Sequence, residues 1–222
     1  EEMIGQVDAA VVDHRHGREH LPAAAPLLEA RLPLFVDKPF CYRVAAGRRF
    51  LARAAELQVP VCSFSVLPHQ DAFAQVRRQA RALGRLSAVT TSGPCDVKSK
   101  YGGVFFYGIH QVDMVLRLVG YDVAWAQLVR GSGRNHMATL TWRDGAVASM
   151  LLLGEGHAGF ALTAVGEKGR VDREIVFDDN PYLAGVQSFC RLFRTGRTDE
   201  TMQTMLGPVA VLEALEKSLA RG

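Results

Sequence analysis

Residues 34–40, LFVDKPF, place three apolar residues directly before an acid, a lysine and a proline. A short unbroken apolar run is typical of a strand that is buried on both faces of a parallel sheet. Pro39 cannot extend the hydrogen-bond ladder and disfavours a helical conformation at Lys38, so the strand ends there. Two interpretations follow: a salt-bridged surface turn, or a catalytic lysine held by Asp37 at the edge of an α/β sheet where ligands bind.

Similar strands lie on either side of this one. Residues 7–12 (VDAAVV) and 59–66 (VPVCSFSV) are also apolar, and helical patterns separate the three runs at 17–30 and 44–58. Strand–helix–strand alternation at this spacing predicts right-handed parallel crossovers, and hence an α/β sheet. Its first strand would be an exposed apolar edge, so we expect either upstream strands or another element to cover it.

The pattern changes near residue 68. Two helices are predicted at 70–84 and 108–120, with a strand at 85–93 between them, and five strands joined by turns such as RDGA follow. Such turns are typical of hairpins, so we predict an antiparallel meander, closed by two C-terminal helices. The fold class is therefore α/β followed by α+β, with a first domain over 1–67 and a second over 68–222. Aromatic residues at strand period are expected in the core: Trp125, Trp142 and Phe160.

Composition excludes several classes of function. The net charge is +3 and the basic residues are scattered, which argues against nucleic-acid binding. The apolar runs are far shorter than the ~20 residues of a membrane span, and the acidic start does not resemble a signal peptide. The four cysteines show no C-x-x-C spacing and are interpreted as reduced thiols, so we expect a cytoplasmic protein without a membrane partner or structural zinc.

A second chemical stretch is residues 100–115, KYGGVFFYGIHQVDMV. Its paired glycines allow a close backbone approach, and a helix beginning near residue 108 would carry His110 in its first turn. There the positive helix end lowers a histidine pKa and favours a neutral imidazole, which accepts an alcohol proton or binds a sugar hydroxyl. The alternative is a half-buried His110 in structural contact with Asp113, on a face shared with Arg117.

The loop DHRHGREH, residues 13–20, follows the first strand and holds three of the seven histidines. The i, i+2 spacing of His14 and His16 raises the question of metal binding. No helical pair of histidines with a carboxylate accompanies them. We therefore favour a polar loop that caps a helix near a bound nucleotide, and predict no metal site.

Together these motifs resemble the Gfo/Idh/MocA family of NAD(P)-dependent oxidoreductases, which act on sugars, cyclitols and related diols. LFVDKPF resembles the family's E-K-P signature, and VDAAVV with His20 resembles its strand and loop of the form VDAVxxxTPxxxH. The segment YGGVFFYGIHQVDMVLRLVG is similar to GGGxLxDxGxHxxDxxxxLxG, and SFCRLFRTGR resembles FxxAIxxGxxP. The resemblance covers residues 7–222 and implies a partial Rossmann domain followed by an α+β domain with an open, mainly antiparallel sheet.

The resemblance also implies roles for individual residues. Lys38 and His110 would be catalytic, with Lys38 by the nicotinamide of NAD or NADP and His110 in proton transfer. Tyr107 and Asp113 would contact a sugar-like substrate. The second-domain sheet would mediate homo-oligomerisation as a dimer or tetramer. The remaining cofactor contacts would be Asp13, His14, His16, His20, Asp37 and Pro39.

Two functions from different classes stay open. The first is hydride transfer between NAD(P) and a hydroxyl or keto group of a sugar, cyclitol or related molecule. The second is a non-catalytic relative that binds a sugar-like ligand or serves as an assembly subunit. The second follows from the lack of a Gly-rich phosphate-binding turn before the LFVDKPF stretch, and from Phe106 at a position where the family frequently has aspartate.

Overall fold

The computed structural model describes residues 3–221, which form two β-sheets with six helices packed around them. The smaller sheet is parallel and has the order β1-β2-β3. Its strands are Ala10–Val12, Leu34–Val36 and Val61–Cys62. Val11 pairs with Phe35, and Phe35 pairs with Cys62, so the three carboxyl ends lie at one edge. The predicted partial Rossmann-type sheet is confirmed.

Helices α1 (His20–Glu29) and α2 (Val44–Glu56) connect these strands. Both proline positions of α1 are tolerated: Pro22 lies in its first turn, and Pro26 lies inside the helix. The strand β3 is shorter than the predicted run of residues 59–66. Ser63 and Ser65 follow it, both buried, and Ser65 makes side-chain hydrogen bonds instead of ladder bonds.

A mixed, open sheet of six strands forms the second part, in the order β5-β6-β7-β4-β8-β9. All neighbouring pairs are antiparallel except β4 with β7. The predicted α+β domain with a mainly antiparallel sheet is therefore confirmed, but the predicted continuous meander is wrong, because β4 lies between β7 and β8. The strands are β4 Leu86–Pro94, β5 Val123–Val129, β6 Asn135–Trp142, β7 Val147–Leu153, β8 Phe160–Gly166 and β9 Gly169–Ile175.

Helix α4, Val104–Val119, packs against β4 and β7 of the six-stranded sheet and is buried on nearly every side from Gly108 to Leu116. It begins four residues earlier than the predicted start at residue 108. Gly103 sets that start, because its φ of 58° is left-handed and a Cβ there would lie 2.8 Å from the carbonyl oxygen of Val97. The predicted close approach at the paired glycines is confirmed.

Three further helices complete the chain: α3 Asp71–Ala82, α5 Leu183–Thr195 and α6 Met202–Arg221. Helix α5 returns to the smaller sheet, where Phe189 stacks on Phe35 with ring centroids 4.7 Å apart. Residues after position 68 thus help to cover the parallel sheet, and the division at 67/68 remains a prediction.

The aromatic residues expected in the core divide into two groups. Trp142 and Phe160 are buried, whereas Trp125 lies on the outer face of β5 and is 49% exposed. The prediction for Trp125 is wrong, because strand alternation gives the period of a side chain but not which face meets the core. Within residues 3–221, no helix has the length and apolar character needed to cross a membrane.

Candidate active site

A cleft with a volume of about 380 Å³ opens where the carboxyl edge of the parallel sheet meets α4 and α5. Strand β1 leads into Asp13, and β2 leads into Asp37 and Lys38, all three of which line the cleft. Helix α4 contributes His110 to the same space. The other lining residues are Arg15, Phe35, Phe64, Val66, Phe106, Tyr107, Phe160, Phe177, Tyr182, Gly185, Val186 and Phe189.

Lys38 is held by α4 rather than by its neighbour in the sequence. Its Nζ donates a hydrogen bond to the Phe106 carbonyl oxygen at 3.3 Å and lies 5.3 Å from the centroid of the Tyr107 ring. Burial lowers the pKa of Lys38, and the charge of Asp37 opposes that shift. Burial in turn raises the pKa of Asp37. Asp37 therefore acts on the ammonium through its charge, and the surface-turn interpretation of LFVDKPF does not fit the geometry.

His110 is 5% exposed, and its Nδ1 lies 2.7 Å from the hydroxyl oxygen of Ser65. The backbone N–H of Leu67 donates to the same hydroxyl at 3.4 Å. Since Ser65 occupies Nδ1, Nε2 is the nitrogen available to the cleft. The rings of Tyr107 and Phe160 meet the imidazole edge-on, at centroid distances of 5.3 and 5.7 Å.

The pKa of His110 lies well below its ordinary value, first because of burial and second because of the Lys38 charge. The direction agrees with the sequence analysis, but the predicted cause is wrong. Helix α4 begins at Val104, so His110 lies in the second turn, beyond the part of the helix where the dipole acts most strongly. Desolvation of the charged form takes its place.

The loop of residues 13–20 packs against the residues that follow β2. His20 is fully buried, with Nδ1 2.7 Å from the Pro39 carbonyl oxygen and Nε2 2.6 Å from the His14 carbonyl oxygen. This contact ties the loop after β1 to the segment after β2. His14 and His16 do not line the cleft. His16 instead accepts a hydrogen bond from the backbone N–H of Arg18 and packs near the ring of Tyr42.

Asp113 lies one turn beyond His110 on α4 but outside the lining of the cleft. Its Oδ1 accepts a hydrogen bond from Nε of Arg117 at 2.8 Å, and Arg117 also donates to both carboxylate oxygens of Glu200. Asp113 and Glu200 are both buried. The geometry therefore supports neither the predicted substrate contact of Asp113 nor the alternative His110–Asp113 pairing.

Across residues 3–221, no group of three or more histidine, cysteine, aspartate or glutamate side chains converges in a way that could hold a metal ion. The pKa of three buried cysteine thiols, Cys41, Cys62 and Cys95, is raised by burial to about 12. These thiols are protonated at neutral pH and do not supply a nucleophile.

Sequence reasoning missed Ser65, the carbonyl of Phe106 and the aromatic wall of the cleft. Ser65 had a usable signal, because it follows the third parallel strand and all three carboxyl ends meet at one edge. The Phe106 carbonyl had none, since a backbone atom carries no sequence information. Phe177 and Tyr182 reach the cleft from the loop between β9 and α5, a contact across more than a hundred residues from Lys38.

No protein-family model and no curated protein sequence matches this chain. Solved structures do match. One is GenD2 from gentamicin A biosynthesis in complex with NAD, with a TM-score of 0.84 at 18% identity, over 96% of this chain and 76% of that one. Another is a putative myo-inositol dehydrogenase from Sinorhizobium meliloti, with a TM-score of 0.80 at 16% identity, over 99% and 81%.

A third match is the WlbA dehydrogenase from Bordetella pertussis in complex with NADH and UDP-GlcNAcA. Its TM-score is 0.81 at 20% identity, and the match covers 100% of this chain and 80% of that one. These neighbours are Gfo/Idh/MocA-type oxidoreductases. At such identities the likeness establishes the fold, so the predicted resemblance is confirmed at that level.

Proposed function

We propose that this protein is an NAD(P)-dependent oxidoreductase that transfers a hydride between the nicotinamide and a CH–OH or C=O group of a small, sugar-like molecule. The observation that carries the proposal is the meeting of Lys38 and His110 in one cleft, from elements separated by some seventy residues. The fold supports it, since neighbours with the same architecture are NAD-bound or act, by name, on inositol.

The residues present fit the nicotinamide end of a dinucleotide. Asp13, Asp37 and Lys38 follow two adjacent parallel strands and line a cleft at their carboxyl edge, which is where open α/β sheets bind cofactors. Within the described residues, the parallel sheet contains no Gly-rich strand-to-helix turn for a pyrophosphate. When bound, the cofactor would accept a hydride from the reacting carbon or donate one to it.

Lys38 and His110 would divide the remaining chemistry. The Lys38 ammonium donates a hydrogen bond to the substrate oxygen and stabilises negative charge that develops on it. In the oxidation direction, Nε2 of neutral His110 accepts the hydroxyl proton. Its lowered pKa keeps the imidazole neutral at neutral pH, ready to act as a base. Ser65 holds the ring through Nδ1, which keeps Nε2 directed at the cleft.

Turnover in Lys38→Met tests this proposal. We expect at least about a hundredfold loss of nicotinamide reduction by inositols or UDP-sugars, because the oxygen loses its charged donor. Lys168→Met is the matched control, because Lys168 lies in the exposed turn between β8 and β9. The assay is run with NAD and with NADP. Undiminished turnover in Lys38→Met would remove the lysine from the mechanism.

A second candidate function is a ligand-binding or assembly subunit without catalysis. The observation that favours it is Phe106, whose ring stands beside Lys38 at 5.2 Å where the family frequently has an aspartate. Calorimetry with NAD and NADP separates the two functions. Micromolar binding of either nucleotide favours the oxidoreductase, whereas no binding together with no turnover favours the subunit.

We also propose a cytoplasmic homo-oligomer that pairs through the outer face of the six-stranded sheet. That face exposes large apolar side chains: Trp125, Val129, Met137, Val147 and Leu151. Apolar groups clustered in this way mark interaction surfaces. Light scattering on Trp125→Lys tests the proposal: a shift from dimer or tetramer to monomer is expected, and an unchanged mass contradicts it.

A further inference from the structure

The cleft has two unlike walls. Asp13, Asp37 and Lys38 form one wall at the ends of β1 and β2. Rings make up most of the other lining. Those from the second part of the chain form the aromatic wall and belong to Phe106, Tyr107, Phe160, Phe177, Tyr182 and Phe189, and Phe35 and Phe64 add two rings from the first part. A ligand that bridges the walls therefore meets charge at one end and flat apolar rings at the other.

Two of these rings are left open at the mouth of the cleft. Phe177 is 52% exposed and Tyr182 is 67% exposed, although both line the cavity. The loop that carries them is fixed in place, because the side chain of Gln70 donates to the Pro181 carbonyl oxygen and accepts from the backbone N–H of Asp178. A held loop that presents exposed rings to a cavity provides a preformed apolar surface for a ligand.

The aromatic wall offers few partners for hydroxyl groups. Apart from Asp13, Arg15, Asp37, Lys38 and His110, the residues that line the cleft offer two polar side-chain atoms, the phenol oxygens of Tyr107 and Tyr182. A free polyol would bury hydroxyl groups there without partners, and an unpaired buried hydroxyl costs binding free energy. A flat apolar ring would lose water and gain ring contacts instead.

We infer that the substrate joins its reacting carbinol to an aromatic ring, so that the carbinol oxygen meets Lys38 and His110 while the ring packs on Phe177 and Tyr182. The placement of the carbinol rests on the proposed function. Lys38 Nζ lies 5.2 and 5.3 Å from the centroids of Phe106 and Tyr107. A group attached to an oxygen at Lys38 therefore enters directly among the rings.

Ligand binding without any cofactor tests the inference. Benzyl alcohol has one carbinol and one aromatic ring, whereas myo-inositol has a hydroxyl on every ring carbon. Saturation-transfer NMR titrations of the intact chain should show benzyl alcohol binding at least about tenfold tighter. Phe177→Ala and Tyr182→Ala should each weaken benzyl alcohol by about threefold or more. Val176→Ala is the matched control, because Val176 is exposed on the same loop but does not line the cleft.

Three outcomes overturn the inference: myo-inositol binding as tightly as benzyl alcohol, no binding of benzyl alcohol, or binding that neither ring variant weakens. Because the titration involves no hydride transfer, its result is separate from that of the turnover assay. Turnover of inositol without binding of benzyl alcohol keeps the proposed function and removes the aromatic substrate. Binding of benzyl alcohol without turnover of any carbinol keeps the aromatic cleft and removes the proposed function.

Discussion

Helix α4 carries two polar sites one turn apart, and they are built in opposite ways. Asp113 is neutralised by Arg117, which Glu200 also holds, and all three charges are paired inside the protein. His110 and Lys38 stand at the cleft, where Lys38 donates a hydrogen bond to a backbone carbonyl and Nε2 of His110 is left for a ligand. The first site is completed by contacts within the protein. The second leaves the Lys38 ammonium and Nε2 of His110 able to bind a ligand.

The two sites show which buried polar residues are available to react with a substrate and which are used within the protein. Substitution of one member of a buried ion pair lowers stability, because the remaining groups lose a partner where water cannot replace it. Groups whose pKa is displaced by burial, and which border a cleft, have poorly solvated atoms available for a substrate. Lys38 and His110 each have a pKa displaced by burial and line the cleft. Asp113 also has a pKa displaced by burial but does not line the cleft.

The largest expected effect on stability comes from removing Asp113 from its contact with Arg117. Asp113→Ala should lower the free energy of unfolding by about 3 kcal/mol, because the buried Nε–H of Arg117 loses its hydrogen-bond acceptor and the smaller side chain leaves a void. Urea denaturation measures it. Asp172→Ala is the control: its partner Arg170 is 70% exposed, and the pair lies at the surface, so the loss should stay below about 1 kcal/mol. Equal losses in the two variants would contradict the distinction.

The pH dependence of stability tests whether burial in the cleft lowers the pKa of His110. The folded pKa of His110 is depressed, so below about pH 6.5 the unfolded chain binds a proton that the folded chain does not. Stability should therefore fall as pH decreases from 7 to 5, by up to about 2 kcal/mol from this residue. His110→Gln should remove that part of the dependence. The slope of unfolding free energy against pH, compared between the two proteins, decides the matter.

Ser65→Ala should have a smaller effect, about 1 kcal/mol of stability, through loss of the hydrogen bond to His110. Its specific signature is spectroscopic. The ¹⁵N shifts of the imidazole should indicate a mixture of tautomers in Ser65→Ala and a single tautomer in the wild type. Ser65→Thr, which keeps the hydroxyl, should restore the wild-type shifts. Identical shifts in all three proteins would show that Ser65 does not orient the ring.

Lys38→Met should change stability least, by less than about 1 kcal/mol in either direction. Burial disfavours the ammonium in the folded protein, so a neutral side chain of similar length offsets the lost hydrogen bond to Phe106. Denaturation of this variant beside Asp113→Ala sharpens the contrast between a residue placed for chemistry and one placed for structure. A loss as large as that of Asp113→Ala would assign Lys38 to structure.

Local patterns in the sequence are enough to predict the order of elements and the position of Lys38 at the end of a strand. Apolar runs of strand length, proline after Lys38 and helical periods are local properties, and local geometry follows from them. The same reasoning anticipated a neutral His110 and the sheet types of both parts. It failed where the outcome depended on contacts that no pattern in the sequence marks. The start of α4 depends on the close approach of Gly103 to the Val97 carbonyl, and Asp113 pairs with Arg117, which also binds Glu200, rather than with His110.

The surroundings of the LFVDKPF stretch follow from tertiary packing and not from any local pattern. The Phe106 carbonyl that holds Lys38, the Ser65 hydroxyl that holds His110 and the rings of Phe177 and Tyr182 come from three separate segments: α4, the residues after β3 and the loop between β9 and α5. No periodicity links these residues, because their meeting depends on how separate segments pack around α4. Burial by that packing, more than the identity of neighbours in the sequence, displaces the pKa of both Lys38 and His110.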